Sequence, residues 1–152
     1  MKKEYEIVIV EDNPEDAELM IRSLKKNKLS NNLILLEDGE LALDFFFRKG
    51  KFKERKASKS NLMIFLDFKL PKVGGLEVLK QLKSNPVTKK IPVVIVTSSS
   101  QDPDIEAAYE LGANSYVVKP VDYGKFTETI KQMGLYWLVV NEFPHTGMRD
   151  SK

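Results

Sequence analysis

Short apolar segments alternate along the chain with longer segments in which apolar residues recur at helical spacing. Five segments are almost continuously apolar and rich in β-branched residues, as expected for strands that are buried on both faces of a sheet. They cover residues 5–10, 32–37, 62–67, 91–100 and 114–120. Each is followed by an amphipathic segment, so the pattern predicts five consecutive strand–helix units.

The amphipathic segments carry signals for helix starts. They cover residues 13–27, 38–50, 74–85, 102–112 and 122–138. Asn13 is a favourable helix cap, and Pro14 suits the first helical position. In the fourth helical segment, Asp102 is likewise interpreted as the helix cap and Pro103 as the first helical residue. The alternation predicts an α/β fold with a doubly wound, five-stranded parallel sheet in the order 2-1-3-4-5, which binds ligands beyond the carboxyl ends of its strands.

Length and composition narrow the possible functions. A chain of 152 residues suits one domain, and we assign residues 1–134 to it and residues 135–152 to an extension of the last helix and a tail. The chain has no cysteine, and its one histidine, His145, argues against zinc sites and Ser–His catalysis. No apolar segment approaches the length of a membrane span or a signal peptide, so we expect a cytoplasmic protein without membrane contact.

Polar residues with complementary chemistry follow the predicted strands. Glu11 and Asp12 follow the first strand, and Asp67 follows the third. Thr97 ends the fourth strand and Lys119 ends the fifth. Because the carboxyl ends of parallel strands meet at one edge of a sheet, we expect these side chains to lie together. Three neighbouring carboxylates repel one another, and a divalent cation such as Mg²⁺, which prefers oxygen ligands, relieves that repulsion.

The same residues suit the transfer of a phosphoryl group. Asp12 and Asp67 are the best candidates for direct Mg²⁺ ligands, and we expect Glu11 to reach the ion through water. Lys119 and Thr97 can hold the oxygens of a phosphoryl group by hydrogen bonds. Asp67 is the natural nucleophile, because an aspartate can form an acyl phosphate.

Four motifs in this order resemble those of the receiver domains of two-component response regulators, the CheY-like superfamily. They are VEDNPED, LDFKLPKVGG, VTSSS and SYVVKP, and the resemblance extends from Tyr5 to Gly134. It implies a flavodoxin-like receiver fold that accepts a phosphoryl group from a histidine kinase. It also implies a signalling domain rather than an enzyme, with only weak self-catalysed phosphorylation and dephosphorylation.

The resemblance assigns roles to individual residues. Asp67 is the implied phosphoacceptor, and Thr97 and Lys119 are the implied contacts of the phosphoryl oxygens. The implied Mg²⁺ ligands are Glu11, Asp12, Asp67 and the backbone carbonyl of Lys69. Thr97 and Tyr116 are the implied switch residues. The bond between Lys119 and Pro120 is implied to be cis.

Three other classes of protein share parts of this pattern. A flavodoxin would cradle phosphate after its first strand, where this chain has the acidic segment EDNPED. A phosphatase of the haloacid dehalogenase class would need a second acid at the position of Lys69. A pseudo-receiver, which uses the same fold as a binding module without phosphorylation, stays open as an alternative, although every key residue type is present.

The C-terminal segment bears on partners. Residues 135–152 are too few for an output domain, so we expect the protein to signal by contact through the face of helix 4, strand 5 and helix 5. The segment LYWLVVNEFP also resembles the tails of stand-alone regulators that partner phytochrome-type histidine kinases.

The apolar residues of this segment exceed what a five-stranded sheet can bury, which predicts a homodimer, with folding back onto the same domain as the alternative. They are Tyr136, Trp137, Val139, Val140 and Phe143. The basic segment 48–60 is interpreted as a solvated loop rather than a nucleic-acid site.

Overall fold

Five strands alternate with five helices in the predicted order. The computed structural model describes residues 5–27, 32–56 and 61–142, so Phe143 and His145 lie outside it. The strands are β1 (Tyr5–Val10), β2 (Asn32–Leu36), β3 (Asn61–Leu66), β4 (Val93–Thr97) and β5 (Ser115–Val118). The helices are α1 (Pro14–Lys26), α2 (Gly39–Phe47), α3 (Gly75–Ser84), α4 (Asp102–Glu110) and α5 (Tyr123–Leu135). Two short turns complete the described chain, a 3₁₀ turn at Gly50–Phe52 and a π-helical turn at Tyr136–Val140.

The strands form one parallel sheet in the order β2-β1-β3-β4-β5, which confirms the predicted doubly wound fold. Within it β1 lies between β2 and β3, and Val10 pairs with Leu66 where both strands end. The next residues, Glu11 and Asp67, therefore leave the sheet side by side. Every residue of β3 is buried, which explains its almost continuous apolar sequence.

Alternate residues of β1 contribute to two hydrophobic cores, one on each face of the sheet. Val8 and Val10 join the core beneath α2, α3 and α4, whereas Ile7 and Ile9 join the core beneath α1 and α5. The helical residues of the first core include Ala42, Phe45, Phe46, Val78, Leu79, Leu82 and Ala108. Those of the second include Met20, Leu24, Phe126 and Ile130. Within the described ranges no helix has the length and apolar character needed to cross a membrane.

Two local expectations are wrong, one from the sequence pattern and one from the family resemblance. Asp102 is the first residue of α4 and does not cap it, because the backbone carbonyl of Gln101 accepts the first helical hydrogen bonds and no side chain caps this end. The bond between Lys119 and Pro120 is trans, since the described ranges contain no cis peptide bond. The trans form is intrinsically favoured before proline by about 0.5–1 kcal/mol.

Part of the C-terminal extension folds back onto its own domain. Leu138 is 1% exposed and joins the core beneath α1 and α5, and Trp137 packs half-buried against that core. The expectation that the sheet has little surface left for this segment is therefore wrong for Trp137, whereas Leu138 continues the buried face of α5 four residues after Gly134. Tyr136, Val139 and Val140 stay exposed, as expected for an unpartnered surface.

Lys83 of α3 links three segments near the start of β4 and β5. Its ammonium group donates hydrogen bonds to the carbonyls of Lys89 and Ile91, at 2.9 and 2.8 Å, and to Asn114 Oδ1 at 3.0 Å. We expect Lys83→Met to lower the free energy of unfolding by about 1–3 kcal/mol, because the partly buried carbonyl of Ile91 loses its donor. Denaturant titration measures the change. Lys80→Met, at an exposed position of the same helix, is the control, and equal effects in the two variants would contradict the linking role.

Candidate functional site

Three carboxylates meet at the carboxyl ends of the central strands, as predicted. Glu11 and Asp12 follow β1, and Asp67 follows β3. One carboxylate oxygen from each residue lies within 4.8 Å of the others. Glu11 and Asp67 are buried, whereas Asp12 is exposed. An oxygen-only donor set with this charge fits a hard divalent cation, so the three-acid cluster is suited to Mg²⁺.

Lys119 places its ammonium group among these acids. Its Nζ atom is 2.9 Å from Glu11 Oε1 and 3.5 Å from Asp67 Oδ2. It is also 2.8 Å from Oδ2 of Asp16, a residue in the first turn of α1 that the sequence reasoning did not select. Acids are common in the first turn of a helix, so the local pattern gave no reason to single out Asp16. The contact between Asp16 and Lys119, which are 103 residues apart in the sequence, is what identifies Asp16 as part of the site.

Burial and crowded negative charge change the titration of these groups. Burial, reinforced by the charge of Asp67, raises the pKa of Glu11 to about 7, although Lys119 opposes that rise. Burial alone would lower the pKa of Lys119, but its hydrogen bonds to Asp16 and Glu11 and the charge of Asp67 outweigh burial and raise that pKa. Lys119 is therefore a permanent positive charge at neutral pH. The surrounding carboxylates outnumber it, which favours the binding of a further cation.

Thr97 and Tyr116 lie on the neighbouring strands β4 and β5. The side chain of Thr97 is buried, and its hydroxyl oxygen accepts a hydrogen bond from the Ser99 N–H at 3.3 Å. The Tyr116 hydroxyl donates to the carbonyl of Ser99 at 3.0 Å. Its ring packs edge-on against Phe68, with 5.8 Å between the ring centroids. The loop after β4 therefore connects the two predicted switch residues through Ser99.

The loop after β3 fixes the backbone around Asp67. The Phe68 N–H donates a hydrogen bond to Asp67 Oδ1 at 2.7 Å, and the Gly75 N–H donates to the carbonyl of Phe68 at 2.8 Å. A Cβ atom on Gly75 would lie 2.1 Å from the carbonyl oxygen of Asp67, so this close approach requires glycine. The side chain of Lys69 is exposed, and the role of its carbonyl as a metal ligand stays a prediction.

A doubly wound sheet with acids, a threonine and a lysine at its carboxyl edge is the arrangement of a signalling domain. The chain belongs to the response regulator receiver domain family, whose model matches residues 7–131. Receiver domains work with histidine kinases and bind Mg²⁺ at an acidic pocket. This chain has such an acidic cluster in Glu11, Asp12 and Asp67.

Several proteins are similar to this chain over most of their length. Response regulator Rcp1 of Synechocystis sp. is 36% identical over 138 residues, which cover 91% of this chain and 92% of Rcp1. The probable methanogenesis regulatory protein FilR2 of Methanothrix harundinacea is also 36% identical over 138 residues, covering 91% of this chain and 86% of FilR2.

Solved structures show the same likeness. The Mn(2+)-bound form of Rcp1 has a TM-score of 0.84 and 34% identity, with coverage of 91% of this chain and 98% of that one. The phosphorylated cyanobacterial phytochrome response regulator RcpA has a TM-score of 0.86 and 31% identity, with coverage of 93% and 99%.

Proposed function

We propose that this chain is a phosphoacceptor response regulator, in which Asp67 receives a phosphoryl group from a phosphohistidine of a sensor kinase. The observation that carries the proposal is the position of Lys119 Nζ, 3.5 Å from Asp67 Oδ2 and beside the three-acid cluster. A carboxylate between a cation site and a partly buried ammonium group is suited to accept an anionic group, because both positive charges compensate the phosphoryl oxygens. Membership of the receiver family supports this function.

The proposed transfer is a displacement at phosphorus. A carboxylate oxygen of Asp67 forms the new P–O bond while the P–N bond to the kinase imidazole breaks, and the imidazole nitrogen keeps the bonding electron pair. Lys119 donates a hydrogen bond to one phosphoryl oxygen, and the Thr97 hydroxyl donates to another. Bound Mg²⁺ would supply charge neutralisation, held by Glu11, Asp12, Asp67 and the carbonyl of Lys69. The same groups give weak self-catalysed phosphorylation and dephosphorylation.

Phosphorylation is proposed to act through the loop after β4. A phosphoryl group on Asp67 attracts the Thr97 hydroxyl and so changes the position of the backbone that follows it. Ser99 belongs to that backbone and accepts the hydrogen bond from Tyr116. The new contact of Thr97 exists only in the phosphorylated state, and such a differential contact is what a shift between two conformations requires. Tyr116 then transmits the change to the surface formed by α4, β5 and α5.

Incubation with acetyl phosphate and Mg²⁺ tests the proposed function. We expect the intact mass to show uptake approaching one phosphoryl group per chain. Hydroxylamine should remove that group, because it cleaves acyl phosphates and leaves phosphate esters of serine and threonine intact. A folded protein that takes up no phosphoryl group would instead support the alternative, a pseudo-receiver that binds partners without being phosphorylated.

We infer that the kinase is of the phytochrome type and that transfer takes place in the cytoplasm. The resemblance of the tail and the similarity to RcpA, a cyanobacterial phytochrome response regulator, support this partner. Transfer from a purified, phosphorylated phytochrome-type kinase should be faster than transfer from a histidine kinase of another sensory class. Equal rates from both donors would argue against the assignment.

We also propose a homodimer that forms through the α4–β5–α5 face, which we define by its exposed apolar residues. They are Tyr109 of α4, Val118 of β5, Val121 before α5 and Tyr123 of α5. Val121 is 99% exposed, so its apolar side chain lies wholly in water unless a partner covers it. The π-helical turn after α5 adds exposed Tyr136, Val139 and Val140. A two-fold axis would let each protomer cover the same surface of the other.

The double substitution Val139→Ser and Val140→Ser should weaken self-association by at least about tenfold, because two exposed aliphatic groups lose their burial in the dimer. Trp137→Ala is a poorer test, since Trp137 and Leu138 pack against their own domain. Val87→Ser, at an exposed valine between α3 and β4, is the control. Light scattering with and without beryllofluoride measures the mass. A wild-type protein that is monomeric at high concentration in both conditions would overturn the dimer.

A further inference from the structure

The ammonium group of Lys119 is surrounded by as many carboxylates as it has hydrogen-bond donors. A lysine offers three N–H groups and no acceptor. Within the part of the chain that the structure describes, three carboxylates lie within 4.0 Å of Nζ: Asp16 at 2.8 Å, Glu11 at 2.9 Å and Asp67 at 3.5 Å. The proposed phosphoacceptor is thus the most distant of the three. The 3.5 Å contact with Asp67 is longer than a hydrogen bond, so the ammonium group has to move towards a phosphoryl group on Asp67 and away from one of the two closer carboxylates, Asp16 or Glu11.

Helix capping does not account for the position of Asp16. An acid at the third position of a helix often bonds back to the N–H of the capping residue. Here the N–H of Asn13, the capping residue of α1, donates to Glu11 Oε2 at 3.1 Å instead. The Asp16 N–H donates to Asn13 Oδ1 at 3.0 Å. This donor belongs to the backbone, so capping at this position does not require a carboxylate side chain. The contact that requires the Asp16 carboxylate is the one with Lys119.

Asp16 also differs from the other two carboxylates around Lys119. Glu11 and Asp67 belong to the three-acid cluster, where a bound cation compensates their charge. Asp16 lies outside that cluster, and its side chain is 24% exposed. Water can therefore solvate the Asp16 carboxylate when Lys119 leaves it, whereas Glu11 is 2% exposed, so of these two close contacts the one with Asp16 breaks at the lower cost.

We propose that Asp16 is a positioning residue that competes with the phosphoryl group for Lys119 and thereby limits how tightly the site retains that group. The inference rests on the proposed phosphoacceptor function. In the resting protein Asp16 holds the ammonium group and neutralises part of its charge. In the phosphorylated protein Lys119 turns from Asp16 to a phosphoryl oxygen. The Asp16 carboxylate remains close enough to repel the bound anion.

The test compares beryllofluoride binding, followed by ¹⁹F NMR in saturating Mg²⁺, between the wild type and Asp16→Asn. We expect the substitution to tighten beryllofluoride binding about three- to tenfold, because a partly exposed charge near an anion site has an effect of this size. Mg²⁺ affinity without beryllofluoride should stay equal or fall, since the lost charge attracted the cation. A purely structural role for Asp16 would weaken both affinities together.

Two matched variants separate the contact from the charge. Glu15→Gln removes an equal charge from the same helical turn at an exposed position, and it should change beryllofluoride affinity by less than about twofold. Asp16→Glu keeps the charge and should behave as the wild type.

The results distinguish the role of Asp16 from the proposed phosphoacceptor function. Unchanged or weaker beryllofluoride binding in Asp16→Asn, or equal tightening in Glu15→Gln, would overturn the role of Asp16 alone. A wild-type protein that binds Mg²⁺ but no beryllofluoride would overturn the proposed function, and the role of Asp16 with it.

Discussion

Replacing Asp67 with asparagine should reduce phosphoryl uptake by at least about 100-fold, because an amide cannot form the acyl phosphate. The loss should be equally large with acetyl phosphate and with a phosphorylated kinase as donor, since both reactions use the same nucleophile. Asp67 is buried next to Lys119, which is the position from which the proposed transfer takes place. The intact mass after incubation with each donor measures the effect.

The control for this substitution is Glu110→Gln. Glu110 is an exposed acid at the last position of α4, and its replacement removes a charge without touching the site. Circular dichroism should show that both variants keep the wild-type fold. Full labelling of a folded Asp67→Asn protein would show that another residue is the phosphoacceptor.

Removal of divalent cations should have an effect of similar size. We expect excess EDTA to lower phosphorylation by acetyl phosphate at least about 100-fold and to abolish beryllofluoride binding. The reason is electrostatic. The three-acid cluster carries more negative charge than the ammonium group of Lys119 neutralises, and a phosphoryl group adds further negative charge.

Adding Mg²⁺ in excess over the chelator is the control for this experiment and should restore both reactions in the same sample. Mn²⁺ should substitute, because it is also a divalent ion that accepts oxygen ligands. Phosphorylation that continues undiminished in EDTA would mean that Lys119 alone compensates the incoming charge.

The strand ends could be located from the sequence because a buried strand has an almost continuous apolar sequence that stops where the strand ends. A strand that is covered on both faces tolerates few polar residues, so the first charges after the apolar run mark the edge of the sheet. Glu11 after β1 and Asp67 after β3 mark it in this way. Once the strand order is inferred, the proximity of the three acids follows, and the structure places them together as predicted.

Features that depend on long-range contacts could not be predicted in the same way. Asp16 has a sufficient local explanation as an acid in the first turn of α1, and its ion pair with Lys119 depends on how α1 packs beside α5. The start of α4 was misplaced by one residue because Gln101 caps the helix through its backbone, which leaves no side-chain signal. The half-burial of Trp137 against its own domain depends on how the turn after α5 meets the core beneath α1 and α5.

The hydrogen bond between Tyr116 and Ser99 has a consequence for how this protein can evolve. Its acceptor at residue 99 is the backbone carbonyl, whereas the Ser99 hydroxyl bonds to the Asp104 carboxylate. A substitution at residue 99 replaces only the side chain, so mutation there leaves the acceptor for Tyr116 in place. Different side chains can therefore occur at residue 99, beside the site, while the hydrogen bond that joins the loop after β4 to Tyr116 is kept.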